Sequence, residues 1–259
     1  MMKPNSHVAG RTLITLGFAF AALTGTALAE SPAAHWSYHG STGPTRWGNL
    51  EHEFTTCALG KYQSPIDIKA SSVKKADLAP IKFDYKPSAL KIIDNGHTIQ
   101  VNYDPGSTIT VGTRQYQLVQ FHFHRPSEEK LDGKAFDMVV HLVHRDSDGK
   151  LAVVAVLVRN GHANPLIETL WSHLPSDKGA EQVIQATQID AAALLPSDRT
   201  YYTFAGSLTT PPCSENVTWF VLRNPVEFSG QEIARFAKLY PMNARPVQPL
   251  NGRVVETSP

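Results

Sequence analysis

What most restricts the fold of this chain is a succession of short runs rich in Val, Ile, Thr and aromatic residues, each closed by turn chemistry. They lie at 81–85 (IKFDY), 90–94 (LKIID), 98–103 (TIQVNY), 108–112 (TITVG), 115–124 (QYQLVQFHFH), 137–144 (DMVVHLVH), 151–158 (LAVVAVLV) and 217–224 (VTWFVLRN). The turns DNG, DPGS, LDGK and DSDGK separate them, the pattern of hairpins in a largely antiparallel sheet. LAVVAVLV is apolar at every position and reads as a central strand covered on both faces. Two segments carry helix-start signals instead: 164–174, with Asn164 as N-cap and Pro165 at the first helical position, and 229–239, with Ser229 as N-cap. Pro-rich coil is expected at both ends, and 202–222 reads locally as a loop pinned by Pro211 and Pro212 that leads into a strand. With no repeat, low-complexity tract or Ser/Gly linker, the expected class is β-dominated α+β. That means a single domain with a central, mostly antiparallel twisted β-sheet and peripheral short helices.

The first 29 residues stand apart. Lys3 and Arg11 make a basic start, Leu13 to Ala27 an apolar run, and Ala27 to Ala29 a small-x-small cleavage site before Glu30. About 15 apolar residues fall short of the ~20 that span a bilayer. A cleaved signal peptide over 1–29 and a soluble exported domain over 30–259 are therefore expected, with no membrane span. Removing 29 of 259 residues leaves 230, enough for one sizeable core. Losing Lys3 and Arg11 leaves 22 basic against 23 acidic residues, a formal charge of −1, and no long basic run points to nucleic acid. Cys57 and Cys213 both remain, in an oxidising compartment where two cysteines most simply pair; free thiols or a thiolate metal ligand are the alternatives.

The chemistry concentrates in QFHFHRPSEEK (120–130). In a strand, His122 and His124 share one face, and Phe121 and Phe123 the other. On another strand HLVH supplies His141 and His144, three apart and so on opposite faces, of which only one can join the first pair. Three neutral imidazoles on adjacent strands would hold a tetrahedral zinc with one position open, the arrangement of a catalytic site; a hydrogen-bonded polar cluster in the core is the alternative. The same stretch also reads H-x-H-x3-E, the start of a cupin-type site in which Glu128 itself binds a redox metal, although Gly133 stands too early for that pattern. His7, His35, His39, His52, His162 and His173 read as signal, surface or cap residues.

Five motifs, QSPIDI (63–68), DNGHTIQV (94–101), QFHFHRPSE (120–128), HLVH (141–144) and GSLTTPPCSENVTW (206–219), follow HWSYHGSTGPTRWGNL (35–50). Their order and spacing resemble those of the α-class carbonic anhydrases, in the exported bacterial form, over essentially all of the chain after residue 29. The resemblance implies the α-carbonic anhydrase fold and a periplasmic enzyme. Its reaction would be the zinc-dependent, reversible hydration of carbon dioxide to bicarbonate and a proton by zinc-bound hydroxide, with one zinc per chain. It implies His122, His124 and His141 as ligands and His144 as a buried structural histidine. Glu128 would accept the Thr209 proton, so that Thr209 accepts from the hydroxide and aims it. Val143, Val153, Leu208 and Trp219, with Thr210, match the pocket for carbon dioxide. His97 matches the histidine that returns the proton to solvent, and Tyr38, Asn95 and Gln100 match the residues that order the connecting waters. Gln120 and the Asn243 carbonyl match the groups that orient His122 and His124. Cys57 and Cys213 match the disulfide of secreted relatives, which would brace the loop carrying Thr209. Sulfonamide and anion inhibitors are implied as ligands, and a homodimer is compatible.

At one place the chain departs from that pattern. The family commonly has a glutamate two residues before the third ligand, a histidine just after the relay glutamate, and a tyrosine in the approach to GSLTT. Here those positions hold Val139, Glu129 and Phe204. The expectation is that Glu129 accepts from the free ring nitrogen of His141; the alternative is an exposed Glu129, with His141 bonded to water or a carbonyl.

Overall fold

The computed structural model describes residues 1–2 and 36–259, so the expected signal segment lies, beyond its first two residues, outside the described part. In chain order the strands are β1 (Asp67–Ile68), β2 (Lys74–Lys75), β3 (Ile81–Asp84), β4 (Ser88–Asp94), β5 (Ile99–Asn102), β6 (Thr108–Val111), β7 (Arg114–His124) and β8 (Lys130–Leu131). There follow β9 (Lys134–Ala135), β10 (Met138–Arg145), β11 (Leu151–Asn160), β12 (Gln182–Ile189), β13 (Tyr201–Ser207), β14 (Glu215–Leu222), β15 (Val226–Phe228) and β16 (Glu256–Thr257). The helices are α1 (Thr56–Leu59), α2 (Pro165–Ser172) and α3 (Gly230–Leu239).

One large sheet runs β12-β4-β5-β7-β10-β11-β14-β13-β16-β2, with β15 beside β11 and β6 joining β3 to β7; β1, β8 and β9 form a small second sheet. Most pairs are antiparallel. The pairs β11–β14, β11–β15, β16–β2 and β1–β8 are parallel.

Alternation along the central strands decides the layering. Every residue of β11 from Ala152 to Val158 is buried, as its unbroken apolar run requires. Its even-numbered members Ala152, Val154, Val156 and Val158 join one core with Met138, Val140 and Leu142 of β10 and Phe121 and Phe123 of β7. Its odd-numbered members Val153, Ala155 and Leu157 join a second core with Val139, Val217, Trp219 and Val221. The histidine face of β7 and β10 lies on this second side, because side chains alternate with period two. Helices α2 and α3 close the first core with Leu166, Ile167, Leu170, Trp171, Ile233 and Phe236. Each large apolar side chain buried there contributes about 1.5–3 kcal/mol. Asn164 caps α2 by accepting from the N–H of Leu166 and Ile167, and Ser229 with Glu232 forms a full capping box on α3.

Three local expectations need correction. Strand β12 was not anticipated: Val183 and Ile184 are adjacent, which breaks the alternation, and the strand slips register between Ile184 and Gln188. The start of 202–222 is strand β13 rather than loop. Gly206 disguised it, and the glycine is there because a Cβ would sit 2.2 Å from Ser64 Oγ and 2.7 Å from Trp219 Cδ1. The N-terminal coil contains 3-10 turns and the short helix α1.

Candidate metal centre

Strand register selects the third histidine. In the β7–β10 ladder His141 stands opposite His122 and Val139 opposite His124, and the pairing shifts between Val143 and His144. His144 faces away, its Nε2 2.9 Å from the Tyr85 hydroxyl, and burial lowers its pKa to about 3. His122, His124 and His141 come together instead, with potential ligand atoms all within 4.8 Å of one another. Their ring centroids are 4.7–5.5 Å apart.

Each of the three rings donates its outward N–H. His122 Nδ1 donates to Gln120 Oε1 at 2.8 Å, His124 Nδ1 to the Asn243 carbonyl at 2.7 Å, and His141 Nε2 to Glu129 Oε2 at 3.1 Å. Such bonds set the tautomer, so Nε2 of His122 and His124 and Nδ1 of His141 present lone pairs to a common point. His124 Nε2 is buried with no hydrogen-bond partner. Burial, with the neighbouring His141 second, lowers His122 to about 3 and holds His124 well below its ordinary value. Burial also pulls His141 down, but the Glu129 carboxylate, and Glu128 after it, outweigh this and raise it. A buried lone pair such as that of His124 Nε2 is costly unless a cation or a donor satisfies it, and the inward nitrogens of His122 and His141 face the same point. Three neutral imidazoles in a facial set suit zinc with an open position.

Glu128 is buried beside this cluster. Its Oε1 accepts from Arg245 N at 2.7 Å, and its Oε2 lies 3.5 Å from His124 Nε2 and 3.8 Å from His141 Nδ1. Burial raises its pKa to about 7, with Glu129 adding to the rise; His141, the Thr209 hydroxyl and the Arg245 N–H oppose it. A cation at the cluster would favour the ionised form. Arg245 was missed in the sequence. Its buried guanidinium donates to Gln63 Oε1, the Ser64 carbonyl and the Cys57 carbonyl. Gln63 is 182 residues away, so nothing local marks the role.

Thr209 is buried in the turn after β13, where Leu208 N donates to the Ser214 carbonyl and Cys213 N to the Thr210 carbonyl. A disulfide joins Cys213 to Cys57, with Cα atoms 5.0 Å apart, and Gln63 Nε2 donates to the Cys213 carbonyl. Val153 and Trp219 are buried in the second core, with Val143 and Leu208 packed against it. Thr210 is half-buried in the same turn as Thr209.

The remaining candidates gather at the β4–β5 turn. The half-buried His97 ring stacks on Trp36 at 3.6 Å and 7°, a contact that only the aromatic HWSY stretch hinted at. Asn95 Oδ1 accepts from the N–H of His97 and Thr98, its Nδ2 donates to Gln100 Oε1, and Gln100 Nε2 donates to Asn102 Oδ1. Asn243 Nδ2 donates to the His97 carbonyl, so one residue holds both this turn and His124. Tyr38 is buried against Trp36 and Trp47, and burial raises its hydroxyl well above the ordinary value, so it stays neutral.

Comparison with known proteins places these features in context. The family model for eukaryotic-type carbonic anhydrases matches residues 42–259. A carbonic anhydrase from a Nostoc species is 43% identical over 243 residues, covering 93% of this chain and 92% of that protein. One from Klebsiella pneumoniae is 46% identical over 227 residues, covering 86% and 91%. The α-carbonic anhydrase of Thermovibrio ammonificans, solved in complex with sulfanilamide, superposes with a TM-score of 0.83 at 43% identity, covering 87% of this chain and 100% of its own.

Proposed function

The chain belongs to the eukaryotic-type, or alpha, carbonic anhydrase family, and on that premise we propose that it hydrates carbon dioxide reversibly at one zinc ion held by His122, His124 and His141. The observation that carries this reading is the three inward lone pairs, each on a ring whose outward N–H is already donated. Zinc bound there would supply the Lewis acidity that ionises water near neutral pH, chemistry for which carbonic anhydrases are themselves the standing example.

The side chains supply orientation. Ionised Glu128 only accepts, so the Thr209 hydroxyl donates its hydrogen bond to Glu128 and the Thr209 oxygen is left to accept from the attacking O–H. The attacking lone pair then faces the apolar wall of Val143, Val153, Leu208 and Trp219, with Thr210 at its edge, where an uncharged substrate displaces little bound water. Gln120 and the Asn243 carbonyl hold His122 and His124 in place. His97 takes the released proton outward, since an imidazole titrates near neutrality, and Tyr38, Asn95 and Gln100 order the waters between. Glu128 is read as off the metal because the ligand atoms that lie within 4.8 Å of one another are those of the three histidines, without a Glu128 oxygen among them. A leader over 1–29 and the Cys57–Cys213 disulfide agree with export to the periplasm. By analogy with the sulfanilamide complex, a primary sulfonamide would inhibit.

Metal analysis and stopped-flow hydration of carbon dioxide test this together. About one zinc per chain and hydration abolished by sulfanilamide are expected. Iron or manganese in its place, or no sulfonamide-sensitive hydration, would overturn the proposal.

A further inference from the structure

Two consecutive residues flank the two nitrogens of one imidazole. Glu129 Oε2 lies 3.1 Å from His141 Nε2, and Glu128 Oε2 lies 3.8 Å from His141 Nδ1. The segment carrying both is tied down: Ser127 N donates to the Phe136 carbonyl, Ser127 Oγ to the Glu129 carbonyl, and Lys130 N to the Ile66 carbonyl. Glu129 is 0% exposed, its Oε2 meets His141, and its Oε1 has no partner. Among the described residues, no other group hydrogen-bonds to His141 Nε2. Val139, two residues back on the same strand face, is apolar, and Phe204 stacks on Trp219, whose ring is 4.9 Å from His141. A carboxylate buried with a single partner is costly, and the group it satisfies is the third inward-facing imidazole.

We propose that Glu129 is the positioning residue of His141, so that the anchor of the third ligand stands on the turn bearing Glu128 and not on the strand bearing the ligand. The proposal rests on the reading of His141 as a zinc ligand. A strand-borne acceptor at position 139 would share one rigid ladder with His141. Glu129 is instead 12 residues away in sequence, so the ring orientation depends on how the 125–131 turn docks on β10. The same turn sets Glu128 against Thr209, which couples metal retention to the aim of the attacking oxygen through one peptide bond.

Zinc dissociation into excess chelator, measured on the zinc-loaded protein, tests this with the visible spectrum of the cobalt-substituted form. Glu129→Leu keeps side-chain bulk and removes the acceptor. It should release zinc about 10–100-fold faster and shift the cobalt bands. Glu129→Gln keeps a neutral, weaker acceptor and should release zinc about threefold faster or more. Adding Val139→Glu to Glu129→Leu returns a carboxylate to the strand and should restore slow release. Wild-type release with unshifted cobalt bands in Glu129→Leu overturns the proposal. If that variant does not fold, wild-type release in Glu129→Gln overturns it. A His141→Ala protein that holds zinc as tightly as wild type removes the ligand reading beneath the proposal, a different failure from the first two.

Discussion

Glu128 sits within 4 Å of two inward ring nitrogens, yet one of its oxygens is already bonded to Arg245 N. The oxygen facing those nitrogens is the other one, Oε2, and on the proposed reading it serves the Thr209 hydroxyl rather than the metal. Glu128→Gln should therefore keep about one zinc per chain while kcat/KM falls about 100-fold, the cost of misplacing a reacting group by an ångström. The amide can donate to Thr209 and so reverse the direction of the relay. Metal analysis beside hydration kinetics checks this; a variant that loses zinc would put Glu128 on the metal. The identities of these residues were legible in H-x-H-x3-E and GSLTT. Their relay was legible only through the family resemblance, and the Arg245 contact not at all, because a side chain's partners are set by chain segments far from it.

Elements were read well where one local signal dominated. The uninterrupted run of β11, the alternation of β7, Asn164 before Pro165, and Ser229 as the N-cap of α3 are all contained in a few neighbouring residues. Strands β12 and β13 escaped because a register slip in one and Gly206 in the other break the local pattern, and pairing with β4 and β14 stabilises them regardless. The α3 cap gives a clean test of the division between scaffold and site. Ser229→Ala should cost about 1 kcal/mol and lower Tm by a few degrees, about 2–4 °C for a chain of this size. Zinc content and hydration should stay unchanged, because the helix covers the core on the face opposite the histidines. Calorimetry with a parallel kinetic assay checks it, and a matching fall in activity would count against that separation.

For the whole molecule, acid stability sums the groups that the fold holds away from their ordinary pKa. His144 is the clearest outside the metal centre, held at about 3 by burial against an ordinary 6.5. The unfolded chain takes up that proton below pH 6.5, and the folded chain not until about pH 3. The contribution of a neutral His144 is therefore full above pH 6.5 and is lost as pH falls through that window, at up to about 1.4 kcal/mol per pH unit. His144→Gln does not titrate, so its stability should fall less steeply between pH 6.5 and 4. Urea unfolding of the zinc-loaded proteins across that range measures the difference, and parallel slopes would refute it.

By itself, the sequence determined what neighbouring residues decide among themselves: the period of two that puts His122 and His124 on one face, the doubly covered β11, the caps of α2 and α3, and a family pattern spread along the chain. Periodicity left His141 and His144 open, and only the family pattern chose between them; the tertiary structure turns His141 inward through strand register, brings Glu129 to His141 Nε2 where Val139 has no acceptor to offer, and alone reveals that Arg245 N holds Glu128. Local backbone preferences act over a few residues, whereas these contacts follow from strand register and loop docking between segments 12 to 182 residues apart.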